Sequence, residues 1–107
     1  MSKAPHNLFW HDGNLLDISF SIDNKGKSAL RMTALFYKDE QAPRRDMYVI
    51  KCEGVLRFNS TLDTAELKKN MFAGNISSGY LKGNGLWVYF TDGVLEVHAK
   101  RFCLAKC

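Results

Sequence analysis

Alternation of apolar and polar side chains is the feature that most constrains the fold of this chain. Over residues 15–22 every second side chain is apolar: Leu16, Ile18, Phe20 and Ile22. The side chains between them, Asp17, Ser19 and Ser21, are polar. Successive side chains of a strand point to opposite faces, so this pattern predicts a β-strand with one solvated face.

The same pattern returns along most of the chain, separated by turn sequences. Asp23-Asn24-Lys25-Gly26 is typical of a tight turn, and it predicts a hairpin over residues 15–37. Residues 38–46 are polar, contain Pro43 and predict a loop. Gly54 indicates a bulge or a close backbone approach within the next strand. The further predicted strands are residues 47–58, 76–81, 86–90 and 94–102.

Residues 60–72 have a different period, which predicts one short helix. Leu62, Leu67 and Met71 recur at helical spacing, and Asp63 followed by Glu66 resembles a capping box. A helix this short depends on packing against the sheet for its stability.

The 107 residues therefore predict one domain, residues 1–107, of the α+β, mainly-β class. We expect an antiparallel sheet or open barrel of about six strands, with the helix between strands three and four. The helix would cover one face of the sheet or fill one end of the barrel.

Charge and composition exclude several classes of protein. The net charge is +4, and residues 1–58 and 59–107 each contribute +2, so no basic arm is present. No apolar stretch approaches the roughly 20 residues that span a bilayer. Residues 1–12 carry no apolar run typical of a secretory signal, which predicts a cytoplasmic protein with no membrane association. The odd number of cysteines, three, excludes a complete intramolecular disulfide framework.

Three groups of residues are candidates for chemistry, and each is better explained by structure. His11 and Asp12 would pair only in a turn, and the turn before the first strand is the simpler interpretation. Zinc prefers sulfur and nitrogen ligands, which Cys52, His98, Cys103 and Cys107 could supply. The second closely spaced pair of ligands that is expected of a zinc module is absent from the sequence. Cys52 lies in the same alternating row as apolar residues of its strand, which indicates that its side chain is part of the core. The sequence predicts no enzyme, no bound metal and no cofactor.

The aromatic side chains near the C-terminus are more informative. Trp87 and Tyr89 alternate with Leu86, Val88 and Phe90, so one of these two rows faces away from the core unless the helix covers it. The predicted binding residues are these two aromatics together with Tyr37, Tyr80, Arg31, Lys100 and Arg101. Packing under the helix or at a dimer interface is the competing explanation for the aromatic row.

Two segments resemble a known class of proteins. Trp10-His11-Asp12-Gly13-Asn14-Leu15-Leu16 leads into an alternating strand, and Val55-Leu56-Arg57-Phe58 ends a later one. This layout is similar to that of small bacterial β-rich proteins of the immunity (antitoxin) type. The resemblance implies a cytosolic antidote that binds and blocks a partner protein. Many such proteins are acidic, whereas this chain is basic.

The sequence thus predicts a non-enzymatic protein that binds another macromolecule: an immunity-like protein that binds and blocks a partner protein, or one that associates with further copies of itself. Aromatic and basic residues on a sheet face are also typical of single-stranded nucleic-acid binding, which is the alternative. A small hydrolase or metal enzyme that uses His11, Asp12 or His98, and a carrier with a cavity inside the sheet, are further hypotheses.

Overall fold

The computed structural model of the protein describes residues 8–62 and 75–107. Strands account for most of this part of the chain: β1 Gly13–Ile22, β2 Ser28–Tyr37, β3 Arg45–Ser60, β4 Asn75–Lys82, β5 Gly85–Phe90 and β6 Gly93–Lys106. They form one closed antiparallel barrel in the order β1–β2–β3–β6–β5–β4.

All six predicted strands are present, each with one or more additional residues. The mainly-β prediction is therefore confirmed, while the α+β class is not supported, because residues 8–62 and 75–107 contain no helix. The helix predicted over 60–72 falls for the most part on 63–74, outside the described residues, and Ser60 is the last residue of β3. No helix of the described residues is long and apolar enough to cross a membrane.

The sheet closes into a barrel, whereas the sequence left an antiparallel sheet and an open barrel as alternatives. Closure depends on a short contact between β1 and β4, in which Gly13 pairs with Ile76 and Asn14 with Asn75. Bulges in β1, β3 and β4 accompany the curvature of the sheet, because an extra residue in one strand bends the ladder.

The interior is filled by the inward-facing row of each strand. Its largest fully buried side chains are Phe36, Leu30, Met32, Ile50, Ile76, Leu86, Leu95, Val88, Val97 and Cys52. Trp10 precedes β1 and is only 8% exposed, so it belongs to this core. Its ring meets Phe36 edge to face, with 5.5 Å between the ring centroids.

Gly79 makes room for Trp10 on the inner face of β4. A Cβ atom at this position would lie 2.5 Å from the Trp10 ring, so any larger residue would displace the ring or the strand. Gly79 interrupts the alternating sequence pattern of β4. The close approach of the Trp10 ring explains why a glycine occupies this position.

The polar–apolar alternation of β1 predicts the strand correctly but not its burial. Phe20 is 41% exposed and Ile22 is 64% exposed. Beyond Asn14, β1 pairs with β2 alone, so the second half of β1 has a neighbouring strand on one side only. Exposure of this apolar row follows from where the barrel closes.

Replacing Gly79 with alanine should reduce the free energy of unfolding by about 1–3 kcal/mol, because the added methyl group overpacks a buried aromatic ring. Urea unfolding at neutral pH measures the change. Ser78→Ala is the matched control on the exposed face of the same strand, where we expect a change within about 0.5 kcal/mol. Equal stability of the two variants would contradict the proposed packing of Trp10.

Candidate binding face

Three aromatic side chains form a continuous outward surface on β4 and β5, which we call the aromatic face: Tyr80, Trp87 and Tyr89. The row between them on β5, Leu86, Val88 and Phe90, is buried. The alternation of β5 therefore points Trp87 and Tyr89 away from the core. Tyr80 and Tyr89 are 44% and 37% exposed, and Trp87 is half-buried.

The strand register brings these rings together. Tyr80 pairs directly with Trp87, and residues paired in this way project from the same face of a sheet. The two rings are stacked, with centroids 4.9 Å apart and planes 13° apart. The rings of Tyr80 and Tyr89 are 6.2 Å apart and nearly parallel, at 22°. The face is thus an ordered stack of three rings.

Trp87 is held in place from two sides. A Cβ atom on Gly85 would lie 2.4 Å from the Trp87 ring, so the ring rests on the bare backbone at that position. The edge of His98 meets the same ring, at a centroid distance of 5.4 Å. These contacts explain why Trp87 is half-buried although no strand covers it.

A polar rim of mixed charge borders the aromatic face. Glu96 pairs with Trp87 in the β5–β6 register, which places a carboxylate beside the rings. The Nε2 atom of His98 lies 2.6 Å from Oε2 of Glu96, within hydrogen-bonding distance. Arg57 pairs with His98 from β3, and Lys82 ends β4 at the same side. Cationic and anionic groups therefore share this rim.

Tyr80 also changes the acidity of its neighbour. Side-chain hydrogen bonding with Tyr80, and secondarily desolvation, raises the pKa of the Tyr89 hydroxyl above its ordinary value near 10. This hydrogen bond favours the neutral form of Tyr89 and links the hydroxyl groups of the two neighbouring tyrosines.

Tyr37 is separate from the aromatic face, which corrects the sequence-based grouping of Tyr37 with Tyr80, Trp87 and Tyr89 as binding residues. It ends β2, whose neighbours in the barrel are β1 and β3 rather than β4 or β5. There the Arg45 guanidinium lies 5.3 Å from the centre of the Tyr37 ring, a cation–π contact.

The predicted basic residues also lie apart from the rings. Arg31 projects from the outer surface of β2, where it pairs with Lys51 of β3. Arg101 pairs with Glu53 in the β3–β6 register and forms an ion pair with it, with 2.6 Å between Nη2 and Oε2. Lys100 precedes Arg101 on β6 and packs against Gly54 of β3. The structure thus divides the predicted set into an aromatic surface and a basic surface.

His11 and Asp12 lie in the turn before β1, as the simpler interpretation of the sequence predicted. Asp12 has a positive φ of 62°, and the Gly13 amide donates to the Trp10 carbonyl at 3.1 Å. The turn brings Nε2 of His11 within 3.4 Å of Oδ2 of Asp12, but both side chains are more than half exposed.

The cysteines differ sharply in their surroundings. Cys52 is fully buried in the core, and this burial, with a smaller effect from Cys103, raises the pKa of its thiol to about 12. Such a thiol is not a nucleophile at neutral pH, since the thiolate is the reactive form. Cys103 is half-buried and Cys107 is exposed. Within residues 8–62 and 75–107, no three His, Cys, Asp or Glu side chains converge in a way that could hold a metal ion.

Comparison of the chain with protein families, curated proteins and solved structures found no match. Of the described surfaces, the aromatic face combines exposed rings, a defined arrangement and hydrogen-bonding groups.

Glu96 and His98 border the aromatic face, although the sequence did not associate them with it. A signal for them exists, because the Asp92-Gly93 turn sets the β5–β6 register and so places Glu96 opposite Trp87. Gly85, two residues before Trp87, similarly marks the place where the indole ring rests.

The raised pKa of Cys52 predicts a loss of stability at high pH. Below pH 9 the thiol is protonated in both states; above it, only the unfolded chain ionises, which favours unfolding until the pH passes about 12. The free energy of unfolding should fall by up to about 1.4 kcal/mol per pH unit from this group.

Denaturant unfolding between pH 8 and pH 11 tests this dependence. Cys52→Ala should remove this part of the slope, and the control Cys107→Ala, at the exposed cysteine, should keep it. Identical slopes in the wild type and Cys52→Ala would contradict the assignment.

Proposed function

We propose that this chain is a non-enzymatic binding protein that docks a partner protein on its aromatic face. The observation that carries the proposal is the outward stack of Tyr80, Trp87 and Tyr89. Rings of this kind are expected to pack inward when a fold can bury them, and here the buried row of β5 fills the core without them. Tyrosine and tryptophan supply much of the binding energy at protein interfaces.

The surroundings of the rings favour a protein over a polyanion. Glu96 and His98 lie directly beside the stack, and Arg57 and Lys82 lie farther out. A mixed polar rim around an aromatic centre is the usual composition of a protein interface. The carboxylate of Glu96 would repel a phosphate backbone at the point where the bases would stack.

The resemblance to immunity proteins supplies the kind of partner that we propose, a protein whose activity is blocked by binding. Trp10 and Gly13, which carry part of that resemblance, serve the fold here, because Trp10 fills the core and Gly13 begins β1 at the closure of the barrel. The binding residues would then be those of the aromatic face. A cytoplasmic location belongs to the same proposal.

Tyr80→Ala and Tyr89→Ala should each weaken partner binding by about 2 kcal/mol, the usual loss at a central aromatic contact. The partner is first captured from the source cells and purified, and isothermal titration then measures its affinity. Tyr37→Ala is the matched control, since it removes a tyrosine from the other side of the barrel. Unchanged affinity of the Tyr80 and Tyr89 variants would contradict the proposal.

A second copy of the chain is the other protein partner to consider. In that case sedimentation of the purified protein would show a dimer, and Tyr80→Ala or Tyr89→Ala would dissociate it. The same variants therefore distinguish self-association from binding of a different protein.

Single-stranded nucleic acid remains the second candidate, because three parallel rings with Arg57 and Lys82 nearby are suited to stacking bases. Titration with an oligothymidylate at low salt, read by tryptophan fluorescence, tests it. If the aromatic face binds bases, affinity should fall steeply with salt, and Tyr89→Ala should cost about 1–3 kcal/mol. The absence of any quenching at low salt would exclude this candidate.

A further inference from the structure

A groove lies on the outer surface of the barrel, on a different side from the aromatic face. Its walls are the β1–β2 turn, the middle of β3 and two residues of β6, Lys100 and Arg101. Its volume is about 690 Å³, which is in the range of small-molecule sites. The proposed docking of a protein does not use this groove.

The groove arises where the β3–β6 ladder is irregular. Gly54 has a φ of +65°, in the left-handed region that favours glycine. The register then shifts between Val55 and Arg57, which leaves Leu56 as an extra, outward residue. The Ser28 hydroxyl donates to the Val55 carbonyl at 3.1 Å and ties the β1–β2 hairpin to this bend. The concave shape is therefore built into the backbone.

Lys100 is positioned by the same bend. A Cβ atom at Gly54 would lie 3.1 Å from Cγ and Cδ of Lys100, so the aliphatic part of this lysine lies on the glycine backbone. The contact limits the freedom of the side chain, and a lysine whose stem is packed in this way loses less entropy when its ammonium group binds a ligand.

Positive charge exceeds negative charge along the groove. Four cationic side chains line it, Lys27, Lys51, Lys100 and Arg101, against two carboxylates, Asp23 and Glu53. Glu53 is shared by two cations: Arg101 at 2.6 Å and Lys51 at 3.8 Å. Among the described residues, Lys27 and Lys100 form no ion pair.

Asp23 is committed to the turn. Its Oδ1 accepts the backbone N–H groups of Lys25 and Lys27, at 2.8 and 2.9 Å. The carboxylate is thereby held by main-chain donors, so it is poorly placed to neutralise the lysines across the groove. The excess positive charge faces a concave space that a small anion can enter.

We propose that this groove binds the phosphate groups of a small ligand, of the class of oligophosphates and nucleotides. Lys27 and Lys100 would contact the phosphate oxygens from opposite walls, and Arg101, already oriented by Glu53, would donate from its remaining N–H groups. Val55 and Leu56 supply an apolar surface beside the cations, suited to the uncharged part of such a ligand.

The test uses the full chain and two probes, inorganic tripolyphosphate and adenosine triphosphate. Isothermal titration should show saturable binding of one molecule per chain that weakens as salt is raised. Amide NMR shifts should concentrate at Ser28, Gly54 and Arg101. Equal affinities would indicate recognition of phosphate alone, whereas tighter binding of the nucleotide would add contact with Val55 and Leu56; both outcomes support the proposal.

Lys100→Gln and Lys27→Gln should each weaken binding of tripolyphosphate about tenfold, the effect of removing one charge-assisted hydrogen bond. Lys38→Gln, an exposed lysine at the end of β2 and outside the groove, removes the same charge and serves as control. The NMR spectrum of each variant verifies folding. Non-saturable binding, or equal losses in all three variants, would overturn the proposal.

Discussion

The long pairing of β3 with β6 is the interaction on which the rest of the structure depends. It joins the β1–β2–β3 meander to the β4–β5–β6 meander, from the Tyr48–Lys106 pair to the Ser60–Leu95 pair. Without it, the two meanders would present separate apolar faces, because each three-stranded sheet needs another layer to cover its inner side. The short β1–β4 contact completes the barrel at the opposite side.

Both candidate surfaces receive residues from β6. Toward the start of β6, Glu96 and His98 support the aromatic face from the side of β6. A few residues farther along, the bend at Gly54 holds Lys100 and forms the basic groove. The groove therefore depends on the irregular pairing near Gly54, whereas the aromatic face lies on the Tyr80–Trp87 and Trp87–Glu96 pairs of β4, β5 and β6.

The inner and outer rows of the strands carry separate tasks. Within the described part of the chain, no polar or charged residue is buried, so the core serves packing alone. Even Cys52, the most reactive type of side chain inside, is kept protonated by its burial, which raises its pKa to about 12. On the outside of the barrel, the aromatic face lies on strands, and the basic groove is lined by strands together with the β1–β2 turn.

The sequence by itself determined the strands, the turns between them and the two rows of β5, because an alternating pattern is local and has a period of two residues. It also identified Tyr80, Trp87 and Tyr89 as a possible surface. Tertiary structure alone decided that the sheet closes, that half of β1 is exposed, and that Tyr37 lies apart from the other aromatics. Those outcomes depend on which strands become neighbours and on where a bulge shifts the register, and no local pattern encodes either of these.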